Sequence, residues 1–93
     1  MRHSFLVHDA RDTVGVAIEN VAANREAVAA FLTGARRISV KVLDDVPLGH
    51  KVALRDLDVG AEVLKYGLPI GHTTQRVRAG EYVHTHNLRS ARW

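Results

Sequence analysis

The chain has 93 residues, of which 46% are hydrophobic and 25% charged, with a formal net charge of +3 and no cysteine. A chain of this length folds as one domain and leaves much of its surface in water, so we expect a single domain over residues 1–93 without a deep private active site. The lack of cysteine excludes disulfides, thiolate metal sites and thiol nucleophiles.

The distribution of apolar and charged residues narrows the choice of partner and location. No apolar run is long enough for a signal peptide or a membrane span, which predicts a cytoplasmic protein that does not bind membranes. The arginines are scattered and the two tyrosines are not interleaved with them, so binding to nucleic acid is not predicted. The small positive excess suits an anionic small molecule or an acidic partner surface.

The first half of the chain contains three strand patterns and one helix pattern. Residues 5–8 and 13–18 are short apolar runs, the second rich in β-branched side chains, and both predict strands. Residues 37–43 alternate apolar and polar side chains with period two, which predicts a half-buried strand. Residues 21–32 are rich in alanine and are followed by Gly34, a pattern typical of a short helix.

From residue 46 onward, a weak repeat places an apolar residue, then a glycine, then a valine. Each glycine stands where a tight turn needs a positive φ, and each valine starts a new apolar run. This pattern predicts short strands joined by tight turns at Gly49, Gly60 and Gly80. The three copies are VPLGHKV (46–52), VGAEV (59–63) and VRAGEYV (77–83). Between the last two, two glycines and a proline in residues 65–72 predict a rigid, shaped loop.

The segment GEYVHTHN, residues 80–87, concentrates the chemistry of the chain. If residues 82–88 are extended, His84 and His86 leave the same face of a strand. Two neutral imidazoles on one face can bind a metal, hold an anionic ligand or move a proton near neutral pH, and Asn87 adds an amide beside them. The alternative is a pair of solvated histidines at a strand edge without a function.

Several other polar residues are candidates for weaker reasons. His50 follows the Gly49 turn, where an imidazole is accessible, and it precedes Lys51. Lys65 and Tyr66 could offer a cation and a phenol to a carboxylate, although a surface lysine beside a half-buried tyrosine is the simpler interpretation of the pair. Trp93, the only tryptophan, is predicted to pack on this domain or on another chain. Four aspartates are interpreted as turn formers, namely Asp44, Asp45, Asp56 and Asp58.

Three segments, in this order, resemble the SAF domain of the altronate and galactarate dehydratase family. They are GHKVAL (49–54), KYGLPIG (65–71) and GEYVHTHN (80–87). The resemblance covers residues 40–93 strongly and residues 12–18 more loosely. It implies a mostly β fold, the β-clip, made of short twisted strands with tight turns. Residues 21–35 correspond to a variable stretch of the family, so they are either a short helix or an extended excursion.

The resemblance also implies an activity, which is elimination of water or sulfite from a sugar acid or related 2-hydroxy acid with a divalent metal, iron or a similar ion. Such a reaction needs a base, an electrophile for the developing enediolate, and an acid or metal for the leaving group. This chain offers candidates for one or two of these roles. We therefore expect the chain to be inactive alone and to act with a larger catalytic subunit. The sequence does not decide whether the chain also forms homo-oligomers. The alternative is a non-catalytic module that binds a sugar acid or aids assembly.

The candidate residues that follow from this reading form three groups. The candidate catalytic residues are His50, His84 and His86, the candidate metal ligands are His84 and His86, and the candidate substrate-binding residues are Lys51, Lys65, Tyr66 and Asn87.

Overall fold

The computed structural model describes residues 2–90, and this part of the chain consists of short strands and turns with no helix. The mostly β prediction is confirmed. The strands are β1 (Phe5–Val7), β2 (Val14–Ala17), β3 (Glu26–Phe31), β4 (Arg37–Lys41), β5 (Lys51–Ala53), β6 (Glu62–Lys65), β7 (Leu68–Thr73), β8 (Tyr82–Val83) and β9 (Leu88–Ser90). Trp93, for which a packing role was predicted, lies outside the described residues.

The strands form two sheets. One has six strands in the order β4-β3-β1-β2-β5-β8, and the other has three in the order β6-β7-β9. Each sheet contributes to a hydrophobic cluster, and burial of such apolar side chains is the main favourable term in folding. The larger cluster includes Phe5, Val7, Phe31, Val42 and Val52, and the smaller one includes Val14, Leu57, Val63, Val77 and Val83.

The alanine-rich segment is strand β3, so the predicted helix over residues 21–32 is wrong. β3 pairs in parallel with β1 and antiparallel with β4. Its alternate residues Ala27, Ala29 and Phe31 are buried, which is the period of a strand and not of a helix. The helix propensity of alanine is a weak preference, and pairing with two neighbouring strands overrides it.

The predicted tight turns at Gly49, Gly60 and Gly80 are confirmed, with φ angles of 84°, 80° and 91°. All three glycines make the same backbone contact, because each donates its N–H to the carbonyl oxygen of a nearby strand residue. The acceptors are Ala17 for Gly49, Thr73 for Gly60 and Ala53 for Gly80. Each turn therefore attaches a new strand to an existing one, and this explains why the glycine pattern recurs.

A fourth copy of this turn lies in the first half of the chain and has asparagine in place of glycine. Asn24 has a φ of 67° and donates its N–H to the carbonyl oxygen of Val42 at 2.7 Å. Asparagine is one of the few residues that adopt this conformation readily. Because asparagine stands in place of glycine, the glycine pattern of the sequence does not reveal this copy.

The four copies associate in pairs. Val21 forms an isolated antiparallel bridge with Val46, and Leu57 forms another with Val77. Carboxylate or amide oxygens next to these bridges close the turns. Asn20 accepts the N–H of Leu48, Asp45 accepts that of Ala23, and Asp56 accepts that of Ala79. The interpretation of Asp45 and Asp56 as turn formers is thus confirmed, as is that of Asp44, which accepts the N–H of Tyr82.

The predicted rigid loop over residues 65–72 is wrong except for a two-residue turn, because Lys65 ends β6 and residues 68–72 belong to β7 of the β6–β7 hairpin. Its turn residues are Tyr66 and Gly67, with φ angles of 57° and 69°. The buried carboxylate of Asp12 accepts the N–H groups of Tyr66 at 3.0 Å and Gly67 at 2.7 Å. Two-residue hairpin turns with positive φ match the twist of the strands that they join. Asp12 therefore fixes the turn from outside the hairpin.

Candidate functional site: three histidines around one tyrosine

The pairing of β5 with β8 determines which histidines meet. Lys51 lies opposite Val83 and Val52 opposite Tyr82 in this antiparallel pair. His50, one residue before β5, is thereby brought beside His84, one residue after β8. The centroids of their imidazole rings are 5.1 Å apart, in an edge-to-face arrangement. Two residues that are 34 positions apart in the sequence therefore belong to one site.

The chain after Val83 does not continue as a strand, so the predicted extended conformation of residues 82–88 is wrong. His84 lies in a bend, and residues 85–87 form a turn. The buried side chain of Asn87 closes this turn, because its Oδ1 accepts the N–H of His84 at 2.9 Å and its Nδ2 donates to the carbonyl oxygen of Tyr82 at 2.8 Å. These hydrogen bonds give the Asn87 side chain a structural role in the turn. Its contact with a substrate stays a prediction.

Tyr82 is the centre of this site, although it is not among the predicted site residues. We call Tyr82 with His50, His84 and His86 the Tyr82 cluster. Its hydroxyl oxygen lies 2.6 Å from Nδ1 of His50. Its ring stacks on that of His84 with centroids 5.5 Å apart and planes 6° apart, and the His86 ring lies 5.6 Å away at 48°. His84 and His86 thus lie close together through a shared aromatic neighbour and not through strand alternation. The sequence signal that indicates a role for Tyr82 is its position two residues before His84.

The electrostatic surroundings of the cluster are positive. Partial desolvation lowers the pKa of His84, and the nearby His50, Lys51 and His86 lower it further. Burial lowers the pKa of the half-buried Lys51, and repulsion from Lys65 adds to this effect. Within residues 2–90, no carboxylate forms an ion pair with either lysine. An anion bound here would relieve this repulsion.

A groove of about 490 Å³ runs beside the cluster. It is lined by Lys51, His84, Thr85, Leu88, Arg89 and Ser90. Arg89 was not predicted as a site residue, because the only signal for it is the pairing of β9 with β7. A separate cavity of about 330 Å³ lies between the Val21 and Val46 turns. Its polar side chains, Asn20 and Asp45, already accept backbone N–H groups, so the groove beside the cluster is the better candidate for chemistry.

Lys65 and Tyr66 lie at the tip of the β6–β7 hairpin. The Tyr66 ring is exposed and stacks on His8 with centroids 3.9 Å apart. The ammonium of Lys65 lies 5.5 Å from the centre of this ring, and it is also near enough to Lys51 to repel it. Lys65 therefore extends the positive region of the groove towards the hairpin. Substrate contacts of Lys65 and Tyr66 stay predictions.

The described residues do not form a complete metal site. No group of three or more histidine, aspartate or glutamate side chains within residues 2–90 is arranged to hold a metal ion. Imidazole is a suitable ligand for iron, but two imidazoles alone do not fill its coordination sphere. His84 and His86 could contribute ligands only to a site that another chain completes.

The fold and the site define a small β domain in which three imidazoles surround one tyrosine beside a positively charged groove. Residues 3–91 match the family model of the altronate/galactarate dehydratase SAF domain. The chain therefore belongs to this family, as the three sequence motifs suggested. None of the described residues form a helix long and apolar enough to cross a membrane.

Similar proteins fall into two groups that differ in length. The chain is 42% identical to the (2R)-sulfolactate sulfo-lyase subunit alpha of Chromohalobacter salexigens over the full length of both. It is 47% identical to the subunit of the same name from Paracoccus pantotrophus, over 53% of this chain and 73% of that one. It is also 42% identical to the altronate dehydratase of Escherichia coli, over 87% of this chain but only 15% of that protein.

Proposed function

We propose that this chain is the small subunit of a two-component lyase, which eliminates water or sulfite from a sugar acid or related 2-hydroxy acid together with a larger catalytic subunit. One observation carries the proposal: the chain matches a protein named as a lyase alpha subunit from end to end, at 42% identity. In the altronate dehydratase of Escherichia coli, the matching region is a small part of a much longer chain. Both arrangements associate this domain with additional polypeptide.

The geometry of the groove supports a role in binding the acid. Lys51, Lys65 and Arg89 supply positive charge, and none of them is in an ion pair with a carboxylate of residues 2–90. His50 and His84 lie beside them with side chains that can exchange a proton near neutral pH. In a low-dielectric site, such groups stabilise the charge that develops on an enediolate or a leaving group.

A divalent metal, iron or a similar ion, is part of the proposal for the assembled enzyme, in which it would supply a Lewis acid. His84 and His86 are the residues of this chain that could bind it, and the larger subunit would have to provide the remaining ligands. We also keep the cytoplasmic location as a proposal.

Turnover by the reconstituted complex tests the proposal. The chain alone, the larger subunit alone and the complex of the two are each given a panel of sugar acids and 2-hydroxy acids, and the keto-acid product and sulfite are measured. We expect turnover from the complex and none from the small chain. Turnover by the small chain alone, or equal turnover by the larger subunit alone, would contradict the two-component assignment. The second result would favour the assembly-module alternative.

Single substitutions test the histidines within the same complex. His84→Ala and His86→Ala should reduce kcat by roughly a hundredfold, a typical contribution of a general acid or base, while the complex still forms. His3→Ala is the matched control, because His3 lies before β1 and its ring is not among those that contact Tyr82. Metal content is measured on every sample. Normal turnover in both variants would show that the histidines are surface residues without a catalytic role.

A further inference from the structure

Tyr82 is held rigidly on both sides of its backbone. Its N–H donates to the Asp44 carboxylate at 2.9 Å, and its carbonyl oxygen accepts from the Asn87 amide at 2.8 Å. Its strand pairs with β5 through Val52. Its ring also packs against the larger hydrophobic cluster, so neighbouring residues position both the backbone and the ring of Tyr82.

The three imidazoles contact this ring in different ways. His50 makes a hydrogen bond to its hydroxyl, whereas His84 and His86 contact its faces and edges only. Within residues 2–90, the His50 ring has no other hydrogen-bond partner. The hydroxyl of Tyr82 is therefore the group that decides which nitrogen of neutral His50 carries the proton.

The relative acidity of the two groups sets the direction of this bond. A phenol has a pKa near 10, and a neutral imidazole N–H is far less acidic, whereas its other nitrogen is a good acceptor. The favoured arrangement has the Tyr82 O–H donating to Nδ1 of His50. The 2.6 Å separation is at the short end of the range for hydrogen bonds, as expected for a good donor facing a basic nitrogen.

We propose that Tyr82 is a positioning residue of this site. Its hydroxyl donates to Nδ1 of His50 and keeps the proton of the neutral ring on Nε2, so that His50 is a hydrogen-bond donor towards a bound ligand. The tyrosine ring orients His84 and His86. The tautomer of His50 does not depend on the proposed function. Only the identity of the ligand that accepts a hydrogen bond from Nε2 of His50 rests on that function. This tautomer gives His50 a role different from that of the other two histidines, because a nitrogen that carries a proton cannot bind a metal.

Nuclear magnetic resonance on the full 93-residue chain tests the inference directly. Long-range proton–nitrogen spectra at about pH 8, where an ordinary imidazole is neutral, distinguish protonated from unprotonated ring nitrogens. We expect Nδ1 of His50 to be unprotonated and Nε2 protonated. Tyr82→Phe keeps the ring and removes the hydroxyl. In this variant the ratio of the Nε2-protonated to the Nδ1-protonated tautomer of His50 should fall roughly fivefold or more, as the loss of one hydrogen bond implies.

Two further variants separate positioning from general disturbance. Tyr66→Phe removes the hydroxyl of the other tyrosine, whose ring stacks on His8, and should leave the His50 spectrum unchanged. Tyr82→Ala should shift the ring signals of His84 and His86 more than Tyr82→Phe does; if it fails to fold, Tyr82→Phe remains decisive. A wild-type chain with Nδ1 protonated, or an unchanged tautomer ratio in Tyr82→Phe, would overturn the proposal.

Turnover of the complex with the larger subunit provides the second readout. There, Tyr82→Phe should lower kcat roughly tenfold and change KM less than about twofold, because the donor is misplaced in the transition state while the charges that bind the substrate remain. If the wild-type complex has no lyase activity, the proposed function fails and the tautomer result still decides the positioning role. An unchanged kcat in an active complex would remove the catalytic importance of the Tyr82 hydroxyl.

Discussion

At the scale of single residues, a buried carboxylate fixes the hairpin that carries Lys65 and Tyr66. Asp12 accepts three backbone N–H groups, from Asp9, Tyr66 and Gly67. Asp12→Asn keeps the shape but turns an NH2 group towards N–H donors, so we expect a loss of about 1.5–3 kcal/mol in the free energy of unfolding, the typical range for hydrogen bonds to a charged group. Chemical denaturation measures it.

Asp9→Asn is the control for this substitution, since it makes the same chemical change three residues away. Asp9 pairs with Arg11 at the surface, and the Arg11 side chain and N–H lower the pKa of Asp9 to about 2. Surface pairs contribute little, so the loss should be smaller than for Asp12→Asn. Equal losses in the two variants would show that Asp12 has no special role in the hairpin.

The pKa of His84 gives a prediction with a definite sign. Desolvation and the positive charges nearby lower it below the ordinary value of 6.5. Between the folded and the unfolded pKa, the unfolded chain binds more protons, so stability rises with pH in that window and falls as the pH drops through it. An NMR titration should show His84 titrating below 6.5.

Lys51 is one of the causes of this low pKa, so Lys51→Gln should raise the pKa of His84 towards its ordinary value. Arg55→Gln removes the same charge from an exposed residue that is not among these causes and should leave the titration unchanged. A His84 pKa that does not respond to Lys51→Gln would mean that the two side chains are farther apart in solution.

How far the sequence predicts the site depends on which residues need distant partners. The sequence identifies His84 and His86 as a pair because they are two positions apart, but a bend and a turn bring them to Tyr82, and not strand alternation. Tyr82 belongs to the same short segment but shows its importance only when His50 is brought to its hydroxyl by the β5–β8 pairing. The role of Asp12 depends on a turn more than fifty residues away, which no local pattern reveals.

At the scale of elements, the turns were predictable and the strand pairing was not. A positive φ is a local requirement, and glycine satisfies it at Gly49, Gly60 and Gly80. β3 has a composition that favours a helix, and only its pairing with β1 and β4 makes it a strand. The fourth turn is not predicted by the glycine pattern, because Asn24 and not a glycine adopts the positive φ there.

The turn glycines differ in how much space surrounds them, which gives a matched pair of substitutions. A Cβ atom on Gly60 would meet no other atom within 4 Å, whereas one on Gly80 would collide with the carbonyl oxygen of Lys41. Both have positive φ, so Gly60→Ala should cost about 1–2 kcal/mol from backbone strain alone. Gly80→Ala should cost at least about twice as much, because the backbone of Lys41 must also move.

Thermal and chemical unfolding of the two variants checks this expectation. A Gly80→Ala variant as stable as Gly60→Ala would show that the contact between the Gly80 turn and Lys41 at the end of β4 is loose. The distinction matters for the site, since the Gly80 turn leads directly into Tyr82.

At the scale of the whole molecule, the positive groove implies that charge on this chain determines how strongly the complex binds its substrate. Lys51 and Arg89 line the groove, and no carboxylate of residues 2–90 forms an ion pair with them. If they hold an acidic substrate equally in the ground and transition states, Lys51→Gln and Arg89→Gln should each raise KM roughly tenfold in the assembled enzyme with a smaller change in kcat. Arg55→Gln should change neither constant.

Salt provides an independent test of the same idea. Exposed charges are screened at high ionic strength, so KM of the wild-type complex should rise with added salt, and the rise should be weaker in Lys51→Gln and Arg89→Gln because one attraction is already missing. Parallel salt curves for wild type and both variants would mean that the larger subunit alone binds the acid. The groove would then serve contact between the subunits, and weaker association of the two variants with the larger subunit would reveal it.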